Sequence, residues 1–332
     1  MRLSRKHLAL SAALLASCVL VVLSWYGGRA AAADLPEEFT YRLDLPAGAG
    51  PDPPRYREEE PIPLGTTALR GLAVGAGGET AVIVGGELIA LDPAGGVAWR
   101  VPLTGEGTCV ASGEDGIYYL GLKDRIVVVD RTGVRLAAWQ SLGERAWVTS
   151  LAVRGGLLFA ADAGNRVVWR FDTGGRLLGS FGRKDPAAGA PGFVVPSPYF
   201  DVALGPAGEL WVVNPGLLRV ERYRLDGSLL GFWGEASLSP QGFIGCCNPT
   251  HLALLPDGSF VASDKGLPRV RVFDREGKLG AIVAAPEAFN PRAVGLDLAV
   301  RADGRILVLD PQRAAIRVFA PPAARPGEAR ER

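Results

Sequence analysis

Two clusters of residues in this 332-residue chain could do chemistry. Asp201, His251 and Asp297 lie 50 and 46 residues apart, and each opens a similar phrase: DVAL, HLAL and DLAV. The chain's one other histidine, His7, sits in an N-terminal targeting segment. Two carboxylates and an imidazole can hold a divalent metal ion, with water filling its remaining positions. They can also serve as acid and base. In a purely structural role, aspartates at such places accept backbone N–H hydrogen bonds, and the histidine makes one satisfied hydrogen bond. The second cluster is Cys246-Cys247-Asn248-Pro249, with Asp264 and Lys265 one strand further on. Adjacent cysteines can close into a strained vicinal disulfide, bind a soft metal or remain thiols. Cys-Cys-x-x-x-His lacks the separated cysteine pairs of a structural zinc site. Gly-x-Ser-x-Gly, His-Glu-x-x-His and phosphate-loop signatures are all missing. A site needing several histidines is excluded as well.

The elements that position these residues are repeats. Six phrases recur: GLAV (71–74), CVAS (109–112), SLAV (150–153), DVAL, HLAL and DLAV. A turn glycine follows each, at Gly78, Gly116, Gly156, Gly208, Gly258 and Gly304, with spacings of 38, 40, 52, 50 and 46 residues. Such periods indicate an array or a propeller. The runs alternate at period two, as in FVASD and RVRVF, so the units are sheets. Each unit supplies four short strands, a to d, as a propeller blade does. A second turn glycine recurs at Gly133, Gly175, Gly227 and Gly277, and six residues after each comes Trp139, Phe181, Trp233 or Val283. Inter-blade packing explains these large side chains.

The expected fold is therefore an all-β, six-bladed β-propeller over 66–321. Its last unit stops after AIRVFA without a fourth strand. EFTYRLDLP (38–46) is the expected closing strand, pairing with 315–320 and removing the open edge. The rest of 34–65 then reads as a Pro-rich linker, and 322–332 as a disordered tail.

Residues 159–172 (FAADAGNRVVWRFD) and 260–274 (FVASDKGLPRVRVFD) resemble NHL repeats. The stretch from Phe243 to Asp274 also resembles exported bacterial NHL-like proteins that carry a Cys-Cys-Asn-Pro phrase and have no assigned activity. The resemblance implies a six-bladed ring and no single function: NHL-like propellers bind proteins, RNA or small ligands, and related six-bladed rings include lactonases and lyases. It carries over only Cys246, Cys247, Asn248, Pro249 and Lys265.

In such a ring the d→a and b→c loops share one face. The run from the strand-d aromatic or valine to strand a takes 10 or 11 residues into blades 2 and 3, but 20, 18 and 14 into blades 4, 5 and 6. Long loops on a rigid scaffold are where function concentrates. That face should carry Asp201, His251, Asp297, Cys246, Cys247, Asn248, Asp264 and Lys265 as a binding mouth for a partner protein or small ligand. The alternatives are a metal-assisted hydrolase or lyase at Asp201, His251 and Asp297, and a redox or cofactor-handling accessory acting through the cysteines.

Residues 1–33 form a targeting segment. Arg2, Arg5 and Lys6 precede nineteen uncharged residues, 8–26, long enough to span a bilayer. A signal anchor fits the length, a cleaved signal peptide fits Ala31-Ala32-Ala33, and Leu15-Ala16-Ser17-Cys18 resembles a lipoprotein signal. Each places the propeller outside the cytoplasm, tethered to the membrane or, if cleaved, periplasmic or secreted. Beyond residue 33, 32 basic side chains face 35 acidic ones. That balance gives no electrostatic footprint for nucleic acid.

Overall fold

The computed structural model describes residues 56–113, 116–185 and 191–322. Six antiparallel sheets follow one another along the chain, and five are simple four-stranded meanders. Blade 5 shows the plan: strand a at His251–Leu254, b at Phe260–Asp264, c at Arg269–Phe273 and d at Leu279–Ala284. The innermost strands of blades 1 to 4 are Leu69–Val74, Gly107–Ser112, Val148–Arg154 and Val202–Leu204, and that of blade 6 is Leu298–Val300. Each innermost strand touches those of the adjacent blades, and blade 6 returns to blade 1, so the ring closes.

The last blade is finished by chain that precedes blade 1. Arg57–Glu58 and Ile62–Pro63 pair antiparallel with Ala315–Ala320, with Glu58 opposite Phe319 and Ile62 opposite Ile316. The stretch assigned to the linker is thus the closing strand, and residues 38–45 lie outside the described residues. Charge decides this register. Arg317, 1% exposed, receives Glu58 through two hydrogen bonds, Nε–Oε1 at 2.7 Å and Nη2–Oε2 at 2.8 Å. Removing that partner would leave a buried cation undercompensated.

The core is divided among the seams between blades. One cluster joins blades 4 and 5 through Trp211, Val213, Trp233, Leu252, Phe260 and Phe273. Others join blades 1 and 2, 2 and 3, 3 and 4, 5 and 6, and 6 and 1. The repeat pairing of turn glycine and large side chain has its explanation here. Trp233 of blade 4 lies against Gly277 of blade 5, where a Cβ would come within 2.6 Å of the indole. Gly277 also has φ +80°, a conformation side chains resist. Gly175 meets Trp139, and Gly227 meets Phe181, in the same way. Each of these glycines both makes its own turn and receives the preceding blade's aromatic ring.

Candidate functional site

The residues that open the repeated phrases of blades 4, 5 and 6 come together as their spacing predicts, His251 heading its strand and Asp201 and Asp297 lying one residue before theirs. Asp201, His251 and Asp297 converge from blades 4, 5 and 6, with one ligand-capable atom from each within 4.8 Å of the others. His251 Nδ1 lies 3.3 Å from Asp297 Oδ1 and 3.6 Å from Asp201 Oδ2. The carboxylates also fasten the ring. Asp201 accepts the backbone N–H of Val202 at 2.8 Å and of Leu252, in the next blade, at 2.7 Å. Asp297 accepts the N–H groups of Leu298 at 2.8 Å and, across the closing seam, of Leu72 at 2.7 Å. Ser150 makes a weaker version, accepting the N–H of Val202 at 3.2 Å.

Burial alone would lower the imidazole's pKa, but Asp297 and Asp201 outweigh it and hold His251 above its ordinary value. Asp297 is pushed above the usual carboxylate range by burial and by Asp201, against the pull of His251. The cluster is thus suited to keep a proton on the imidazole between two carboxylates. A divalent metal would have to displace that proton and share oxygens that already accept backbone N–H groups.

Above His251 lies a cavity of about 430 Å³. Every blade lines it, through residues such as Arg70, Glu106, Trp147, Tyr199, His251 and Gln312. The Tyr199 ring stands edge-on to the imidazole, with centroids 5.8 Å apart at 83°. His251 Nε2 is buried and has no hydrogen-bond partner. Asp201 and Asp297 also line a second cavity of about 270 Å³, walled by the inner strands. The three-residue cluster therefore forms a floor between the loop-side mouth and the channel. Tyr199 was not legible as a site residue; its one sequence signal is its place in the enlarged loop, two residues before Asp201.

No protein-family model matches this chain, and no curated protein is similar to it in sequence. Solved structures are similar in fold. A catalytically inactive histidine-to-alanine variant of virginiamycin B lyase from Staphylococcus aureus, with quinupristin, is 10% identical at a TM-score of 0.55, covering 80% of this chain and 99% of that one. A chain of the mitotic checkpoint complex is 12% identical at 0.57, covering 85% and 97%. Kuenenia stuttgartiensis hydrazine synthase is 14% identical at 0.55, covering 78% and 97%. At these identities the likeness shows the propeller fold alone.

The cysteine phrase sits beside the mouth. Asn248 clamps it to the b→c loop of blade 5: its Oδ1 accepts the N–H of Lys265 at 2.9 Å, and its Nδ2 donates to the carbonyls of Ile244 at 2.6 Å and Lys265 at 2.9 Å. The Asn248-Pro249 bond is cis. Lys265 Nζ donates to Ser197 Oγ at 3.1 Å and lies 4.8 Å from the centre of the Tyr199 ring. A chain of contacts thus runs from the cysteine loop through Lys265 and Tyr199 to His251. Both cysteines are thiols, Cys246 exposed and Cys247 buried, with Sγ atoms 3.3 Å apart. Cys109 is buried, and burial pushes its thiol up to about 12.

Asp264 does not join the mouth. It is 2% exposed, and its Oδ2 accepts Arg269 Nε and Arg271 Nη2, each at 2.6 Å. The expected site residue is instead the anion of a buried ion network, because its hairpin partner Arg269 lies directly opposite.

Proposed function

We propose that this protein is an exported, membrane-tethered propeller of NHL-like repeats that binds a small polar ligand at its loop-rich face. The observation that carries the reading is the cavity of about 430 Å³ to which all six blades contribute, floored by His251 and Asp297. Its volume lies in the range of small-molecule sites. Trp147 and Tyr199 offer flat apolar surfaces, while Thr67, Thr108 and Gln312 offer hydrogen bonds. A partner protein docking over the same mouth would engage the same residues. The tether is the 8–26 segment, outside the described residues; no described helix is long and apolar enough to cross a membrane. If the leader is cleaved, the same propeller is periplasmic or secreted. Near-neutral charge speaks against a nucleic-acid partner.

The test is a thermal-shift screen of the purified full chain against sugars, hydroxy acids and aromatic acids. A stabilising compound is expected, and its effect should vanish in Tyr199→Ala and Trp147→Ala while the unliganded melting temperature stays within a few degrees. A shift that survives both substitutions places binding elsewhere and overturns the reading.

A second reading is a metal-assisted hydrolase or lyase at Asp201, His251 and Asp297. It rests on the 4.8 Å clustering of their ligand atoms. Two carboxylate oxygens and one imidazole nitrogen suit a divalent ion, which would polarise a substrate oxygen or activate water. Under it, the purified chain carries about one equivalent of metal, and His251→Ala loses the metal without unfolding. A metal-free chain that shows no shift on adding zinc, manganese or calcium eliminates this reading.

A further inference from the structure

Neither reading uses the two thiols, and their surroundings differ. Cys246 is exposed, while Cys247 is 5% exposed. Burial would raise the Cys247 thiol, but Lys265 and Ser197 beside it, themselves bonded to each other at 3.1 Å, outweigh burial and hold it below the ordinary thiol range. Cys246 is pushed the other way by Cys247 beside it. An ammonium against a thiol favours the thiolate, which is the setting of a reactive cysteine. The same ammonium disfavours a metal cation at that sulfur, so the geometry argues against soft-metal capture. The neighbouring Sγ, at 3.3 Å, is already in contact. Asn248 and Lys265 grip the loop by backbone hydrogen bonds that do not involve sulfur, so the frame can stay in place while the sulfurs react.

We propose that Cys246 and Cys247 form a dithiol centre that exchanges with disulfide substrates, Cys246 being the entry thiol and Cys247 the resolving one. The Cys247 thiolate takes the Cys246 proton as Cys246 Sγ attacks a disulfide RSSR. An S–S bond forms to one R group, and RS⁻ departs. The Cys247 thiol then loses its proton to the second leaving sulfur as its Sγ attacks Cys246 Sγ. The Cys246–Cys247 bond forms, the mixed bond breaks, and RSH departs. Two electrons have passed from the pair to RSSR, which leaves as two reduced thiols. An oxidising exterior would supply such substrates. Closure removes the ionisable sulfur beside Lys265, whose ammonium also lies over Tyr199. The proposal does not depend on the cavity's ligand.

The full chain is equilibrated in reduced and oxidised glutathione at stepped ratios, quenched with an alkylating agent and mapped by mass spectrometry. The expected result is that both thiols of the peptide spanning 242–251 disappear together in one two-electron transition, without stable glutathione on either. In Cys247→Ser, the mixed disulfide should accumulate on Cys246. In Cys246→Ser, alkylation of Cys247 should report a pKa below the ordinary thiol value, and adding Lys265→Gln should lower its rate about tenfold at pH 7, the effect of a one-unit rise in pKa. Lys265→Arg should restore most of that rate, and circular dichroism confirms folding of each variant. Persistence of both thiols in fully oxidised glutathione, independent glutathionylation of each, or indifference of the Cys247 rate to Lys265→Gln would each overturn the proposal.

Discussion

One position, the residue that opens each repeated inner-strand phrase, differs between the two halves of the ring. In blades 1, 2 and 3 it is Gly71, Cys109 and Ser150; in blades 4, 5 and 6 it is Asp201, His251 and Asp297. In the first half the position serves packing. A Cβ on Gly71 would come within 2.8 Å of the Cys109 backbone, so no side chain fits there. In the second half the same position still joins blades, through Leu252 and Leu72, but it also gathers charge. Ser150 lies between the two cases, since it joins blades without charge. Seam closure is thus what the scaffold asks of this position in either half. Ionisable side chains are an addition, confined to the half beneath the long loops.

Four measurements would break or sharpen that contrast. The largest effect should come where the halves meet. Deleting 57–63 exposes the edge of Ala315–Ala320 and strips Arg317 of Glu58. Glu58 is partly exposed and Arg317 keeps Asp310 at 3.5 Å, so losing these charged hydrogen bonds costs about 2 kcal/mol, and the lost strand adds to that. Denaturant unfolding should lose its single transition, whereas deletion of 34–46 should leave the curve unchanged. Equal curves would return the closing role to the earlier segment.

Next is Asp297→Ala against Ser150→Ala. The first leaves the Leu72 and Leu298 N–H groups without their acceptor and His251 without its nearer carboxylate, and should cost about 3 kcal/mol. The second removes two long neutral hydrogen bonds, from the Val202 N–H at 3.2 Å and to the Val202 carbonyl at 3.4 Å, about 1 kcal/mol. Equal losses by chemical denaturation would show that charge adds nothing to the seam.

Gly277→Ala should cost about 2 kcal/mol, through positive φ and collision with Trp233 at 2.6 Å. Gly133→Ala, where the approach to Trp99 is 3.2 Å, should cost less. The reverse order of melting temperatures would refute the docking role of these glycines.

The smallest effect is the pH dependence. The folded-state pKa of His251 is raised, so its stabilising contribution is complete below the unfolded value near 6.5 and fades as pH climbs through the folded value. Asp297, also raised, contributes in the same sense at lower pH: its share is present below the unfolded carboxylate value and lost as pH rises. The His251 contribution to the stability of the wild type should therefore fall between pH 6 and 9. His251→Gln should flatten that slope. An unchanged slope would mean that the imidazole is neutral and that the charged half of the ring is simply acidic.

The blades were legible because strand alternation and turn glycines are local requirements that leave a repeating trace. The convergence of Asp201, His251 and Asp297 was legible for the same reason: equal places in equal units meet at a common axis. The closing strand was misplaced because a two-residue pairing at Arg57–Glu58 has no periodicity to read, and its specificity lies in Arg317, some 260 residues away. Asp264 was misjudged because its position in the unit marks a face, while the arginines at 269 and 271 decide where its carboxylate turns. Tyr199 and Ser197 belong to a loop with no pattern, and their part in the site follows from where Lys265 reaches.

The placement of the closing strand has a mechanical consequence. Load carried along the chain from ahead of residue 56 first reaches Tyr56, whose N–H donates to the Ile282 carbonyl of blade 5 at 3.1 Å, and then the outer edge of blade 6, at Arg57–Glu58 against Phe319–Ala320. Two short antiparallel pairings hold that edge, one at 57–58 and one at 62–63. A pull that lifts the edge away from the blade opens these pairings one after the other, while a pull along the strand strains them together. The grip of Glu58 on Arg317 is then the latch met next, after the hold of Tyr56 on blade 5, and the direction of pull sets how firmly the ring stays shut.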